Sequence, residues 1–331
     1  MTEGPEFTDA SCYHAAFAVL LKSTDERADP VAVIGGSALT GAWLDDSGLL
    51  VFGDPLSVLS VAFDRWDLPL DRHRVDGAAS WEAAERAMGR GQTVAAAADP
   101  FHLPYYWPAY GRSHDLHTVV LRDLDPKAET VRLLDAGEEV FFDARVPLAE
   151  VRAAMYADNH GQSWVEVTAS SRPPERPAPE PTAELRRLAD ELAGQAGRWI
   201  SGTGLVEALT KGLDDYLDAV RDRTRPRDDA PSPHRLGRTL PLGLLWYHHT
   251  LRWLARHLEL LSQPAETVEA VRRAARDLVV ANGLMTRIGI LAPGAPRAAA
   301  FRSELESRLA RMLRDLTAVA AELTGRTGAA L

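Results

Sequence analysis

Apolar positions along the chain keep two different periods, and the change between them falls at one proline-rich seam. In the first half the apolar runs are short, β-branched-rich and closed by Asp, Pro or Gly, as strands are. "QTVAAAAD" (92–99), "HTVVLRDLD" (117–125) and "TVRLLDAG" (130–137) are of this kind. Between them and the N-terminus, "SWEAAERAMGRG" (80–91) sets Trp81, Ala84 and Met88 on one helical face and ends at glycine. In the second half the period is helical almost throughout. One stripe runs through Leu185, Leu188, Leu192 and Trp199, and a second through Leu205, Leu209, Leu213, Tyr216 and Val220. A third takes Leu251, Leu254, Leu258 and Leu261, and the longest takes Phe301, Leu305, Leu309, Met312, Leu316, Val319 and Leu323. The seam, "SSRPPERPAPEPT", is too rich in proline to pair in a sheet or continue a helix. The pattern predicts an α+β domain over 1–169, an extended linker over 170–182 and an α-helical bundle over 183–331.

Composition narrows the classes of function. A 46% hydrophobic content over 331 residues is ample for packed cores. A formal net charge of −10 argues against a nucleic-acid surface. The acidic, polar start "MTEGPEFTDAS" does not read as a signal peptide, and no run of 18 apolar residues suggests a membrane span. A single cysteine excludes an intrachain disulfide framework and fits a reducing, cytoplasmic setting.

That cysteine, Cys12, lies in "TDASCYHAAFAVLL", where Thr8, Asp9 and Ser11 are good N-cap types and Phe17, Leu20 and Leu21 follow at helical spacing. A thiol at a helix start sits among unpaired N–H groups and the positive end of the dipole, which favour an anion. A nucleophilic cysteine also needs a base, and the base an orienting group. His117 heads one strand and Asp135 closes the next, so a hairpin around "DPKAE" brings them to one edge. His114, nearby in the polar "YGRSHD" loop, is expected to be poorly fixed and not to be the base. His114, Asp115 and His117 lack a distant fourth ligand, and no metal is expected. His14 is expected to pack on another helix face, and His248 and His249 to be satisfied within the helical half. "IGGSALTG" lacks the lysine of a phosphate loop and reads as a turn near the active cleft. "PYYWPAY" reads as aromatic packing, with Tyr106 and Trp107 candidates for a substrate wall.

A cysteine at a helix start, a histidine heading a strand and an aspartate after the next resemble the papain-like fold, in particular its C39-peptidase-like branch. The segments "SCYHAAFAVLL", "VIGGSALTGAWL", "PYYWPAYGRSHDLHTVVLRDLD" and "VRLLDAG…VPLAEVRAAM" resemble, more closely, the butirosin-biosynthesis protein H family. The resemblance implies a papain-like catalytic domain followed by a helical one. It also implies a Cys12–His117–Asp135 triad and an acyltransferase of bacterial natural-product biosynthesis. The acyl group would arrive as a thioester on the phosphopantetheine arm of an acyl or peptidyl carrier protein and leave as an amide. No cofactor is implied, and a homodimer is compatible. The chain departs from the papain-like pattern before the cysteine. Glu6, Phe7 and Thr8 stand where a glutamine would donate to the oxyanion, leaving the Cys12 backbone N–H with help from Thr8, Ser11 or another loop. Hydrolysis of the same acyl-enzyme and a noncatalytic scaffold are the rival expectations.

Overall fold

A computed structural model describes residues 11–24, 29–37, 42–44, 50–52, 70–74, 77–114, 117–136, 140–156, 164–168, 180–194, 200–224, 240–291 and 294–328. It is mixed α+β and divides into two units. One comprises Met1–Pro30 and Phe63–Arg176, the other Val31–Ala62 and Pro177–Leu331.

The first unit is built on a six-stranded sheet in the order β3-β8-β4-β5-β6-β7, with every neighbouring pair antiparallel. The strands are β3 (Leu70–Arg74), β4 (Val94–Ala98), β5 (His117–Asp125), β6 (Thr130–Ala136), β7 (Phe141–Pro147) and β8 (Trp164–Thr168). β4 and the start of β5 are central and buried at every position, so alternation gives way there to a continuous small-residue and β-branched run. β6, nearer the edge, alternates strictly, burying Val131, Leu133 and Asp135. Helix α1 (Cys12–Thr24) lies against β5 and β6. Helices α3 (Gly77–Gly89) and α4 (Leu148–Tyr156) supply Trp81, Met88, Val151 and Met155 to a core shared with Val94, Val119, Leu121 and Leu133. The sequence places β4, β5, β6 and α3 to within a few residues.

Among the described residues, the second unit holds α2 (Pro30–Ser37, from Val31 on), a short hairpin of β1 (Ala42–Leu44) and β2 (Leu50–Phe52), and six further helices. These helices are α5 (Pro181–Leu192), α6 (Gly202–Lys211), α7 (Leu213–Thr224), α8 (Leu240–Leu260), α9 (Ala265–Ile290) and α10 (Pro296–Gly328). One apolar core runs through Leu188, Leu205, Leu251, Leu278, Leu309 and Leu316. Asp277 of α9, buried, accepts from Arg308 at 2.8 Å and from Nε and Nη2 of Arg311, each at 2.6 Å, tying α9 to α10.

Three sequence expectations are corrected here. First, 1–169 does not stay in one unit, because Val31–Ala62 joins the helical half. Ala42 enters the helical core, and its carbonyl accepts from Ile200 N–H at 2.7 Å. Gly35 and Gly36 are not a turn but the end of α2. A Cβ on Gly35 would lie 2.5 Å from the Trp253 carbonyl oxygen of α8, so glycine is what permits that close approach. Second, Pro181 and Thr182 belong to α5 rather than to the linker. Proline is tolerated at the first helical position, and the Glu180 side chain caps Ala183 N–H at 2.9 Å. Third, the stripe from Leu205 onward is two helices, broken at Gly212. Trp199 and the Val220 side chain lie outside the described residues. Among the described residues, no helix is long and apolar enough to cross a membrane.

Candidate active site

Helix α1 begins at Cys12 because Ser11 caps it. The Ser11 carbonyl accepts Ala15 N–H at 3.0 Å, and its hydroxyl accepts His14 N–H at 3.4 Å. The same hydroxyl lies 2.7 Å from His14 Nδ1, so Ser11 is engaged in holding the helix start. Phe17, Leu20 and Leu21 anchor the helix by full burial, while Cys12 itself is only partly covered. A partly covered thiol at the first helical position is accessible and lies at the positive end of the helix dipole.

The partner residues are placed by one hairpin. Asp125 Oδ1 accepts the N–H groups of Lys127 and Ala128, both at 3.0 Å, closing the turn between β5 and β6. Leu121 then pairs with Leu133 and Val120 with Leu134. Side chains two residues apart share a face, so counting back from Leu121 to His117 and on from Leu133 to Asp135 puts both on one face. Asp135 thus occupies a slot that the alternation of β6 otherwise gives to Val131 and Leu133. It is 1% exposed, and His117 is 5% exposed. A carboxylate buried this deeply needs partners, and two share its Oδ2 atom. His117 Nε2 lies 2.6 Å from it, and the Tyr105 hydroxyl donates to it at 3.1 Å.

Because Nε2 faces the carboxylate, Nδ1 is the ring nitrogen left for another group. The Cys12 side chain also acts on the His117 imidazole, by charge and by hydrogen bonding. Burial alone would lower the His117 pKa. The charges of Cys12 and Asp135, with hydrogen bonds to both, outweigh it and hold the imidazole well above its ordinary value. Burial and the Asp135 charge push the Tyr105 hydroxyl above its ordinary value, so it remains a donor. The Tyr105 ring stacks on Phe142 at 4.0 Å, and the Tyr106 ring lies 4.4 Å from that of His117.

The structure therefore brings His117 and Asp135 together, sets Tyr106 beside His117, and has Cys12 among the groups that act on the imidazole. Trp107 is 69% exposed. Thr8, with Glu6, Phe7 and Asp115, lies outside the described residues. His14 is buried, and burial lowers its pKa to about 4. His248 is buried with Nδ1 2.8 Å from the Ala275 carbonyl, and His249 is buried beside it. His114 is not poorly fixed: its Nδ1 lies 2.6 Å from Asp99 Oδ2 and its ring stacks on Phe101 at 4.2 Å. Sequence reasoning passed over Tyr105 as a partner of the site, although its place in the aromatic loop leading to His117 is a signal. Comparison with protein-family models and with curated proteins gives no match.

Proposed function

We propose that this protein is a cysteine-dependent acyltransferase that forms an amide through an acyl-Cys12 intermediate. The observation that carries the reading is the His117 imidazole, buried, held by Asp135 and with its pKa raised in part by Cys12. An imidazole so placed accepts the thiol proton, and Asp135 fixes its tautomer and stabilises its protonated form. The Cys12 thiolate attacks the carbonyl of a carrier-bound thioester. The carrier leaves as a thiol, taking the proton from His117. An amine then attacks the Cys12 thioester, gives its proton to His117 and leaves as amide, returning Cys12 to the thiolate. Thiol–thioester exchange is nearly balanced, so positioning and one base suffice. The oxyanion falls to the Cys12 N–H at the start of α1. The donor as carrier thioester and the natural-product setting rest on the resemblance to the butirosin-biosynthesis protein H family.

The test is product analysis with a panel of acyl-carrier thioesters and simple amines. The reading predicts amide in proportion to amine. Free acid at all amine concentrations would replace transfer by hydrolysis, and no consumption of any thioester would favour a noncatalytic scaffold.

A further inference from the structure

The geometry points to a second, separate site: a divalent transition-metal site, best suited to Zn²⁺, formed by Asp99, His102 and His114. Asp99 Oδ2, His102 Nε2 and His114 Nδ1 each offer one ligand atom, and all lie within 4.8 Å of one another. None of the three takes part in the Cys12 site.

The donor set is two imidazole nitrogens and one carboxylate oxygen, which suits zinc and similar borderline ions and leaves a fourth position open. Bond lengths of about 2.0–2.1 Å put tetrahedral ligand atoms roughly 3.3–3.4 Å apart. The two distances from Asp99 Oδ2, 2.6 Å to His114 and 4.0 Å to His102, bracket that spacing. Small side-chain rotations bring both to it.

The shell around these ligands is built. Asp99 Oδ1 accepts Phe101 N–H at 3.0 Å, which directs Oδ2 at the two imidazoles. Phe101 stacks on His114 at 4.2 Å and meets His102 edge-on at 5.1 Å, holding both rings. Asp99 itself is buried, whereas the His102 and His114 side chains are 33% and 58% exposed, giving an ion a route in. The ion joins the two ends of the loop between β4 and β5. That loop carries Tyr105 to Asp135 and Tyr106 to His117, so the metal acts as a clamp on the loop beside the thiol site.

The experiment is calorimetric titration of metal-stripped full-length protein with Zn²⁺, in the Cys12→Ala background because the thiol is itself a zinc ligand. One equivalent binds at micromolar concentration and raises the thermal midpoint. His102→Ala and His114→Ala each weaken that binding at least tenfold; both residues are partly exposed, so the fold tolerates them. Less than one equivalent bound at ten times that concentration overturns the proposal. So does unchanged affinity in both histidine variants, or uptake that vanishes with Cys12 alone.

Discussion

Replacing Asp135 with asparagine removes one charge from the buried pair while keeping its size and one acceptor oxygen. In the native protein the His117–Asp135 contact is a charge-assisted hydrogen bond of 2.6 Å between buried groups. Such bonds contribute about 1.5–3 kcal/mol, against about 0.5–1.5 for neutral ones. The substitution therefore withdraws about 1–2 kcal/mol of support from the protonated imidazole, and so from the imidazolium–thiolate pair. At about 1.4 kcal/mol per tenfold, that is about a fivefold to thirtyfold loss of the ion pair at neutral pH. Cys12 is the only thiol in the chain, so alkylation by iodoacetamide, followed by mass spectrometry, reads the thiolate at this one atom. Asp135→Asn should slow alkylation at pH 7 by that factor. Circular dichroism of the variant must match the native protein. An alkylation–pH profile identical to the native one in a folded variant would refute the coupling between Asp135 and Cys12 through His117.

His117→Ala should cost at least about 10²-fold in acyl turnover, the usual contribution of a general base, and His114→Ala much less. A reversed order in steady-state assays would mean that the wrong histidine has been assigned as base. His14, whose folded pKa of about 4 lies below the usual 6.5, stays neutral in the native state while the unfolded chain takes up a proton. Its contribution is therefore complete above pH 6.5 and lost as pH falls toward 4, by about 3 kcal/mol at the limit. Urea titrations at pH 7 and pH 4.5 should show less acid sensitivity in His14→Gln than in the native protein. His117 has the opposite sign: its raised value adds stability that is complete below pH 6.5 and lost as pH climbs through the folded pKa.

The parts of the fold that were legible are those whose local chemistry agrees with their packing. β5, β6 and their turn follow from β-branched runs and the Asp125 turn, and with them the approach of His117 to Asp135. Cys12 at a helix start follows from Ser11. What stayed hidden depends on distant contacts. The apolar α2 gives no sign that Gly35 meets Trp253 and that the Gly36 carbonyl accepts from Arg187, far along the chain. β3, "LDRHR", is too polar to announce a strand, and its pairing with β8 is what defines it. The Asp99–His102–His114 cluster was missed because only the closing of the β4–β5 loop brings His114 back to Asp99.

The central claim is that Cys12 carries the acyl group. Intact-mass spectrometry of the protein after brief exposure to acyl-carrier thioesters, with no amine present, tests it most directly. The account predicts a mass increase equal to one acyl group for the native protein, located by peptide mapping at Cys12, and none for Cys12→Ala. An acyl adduct that persists in Cys12→Ala, or amide formation that this variant retains in full, would contradict it.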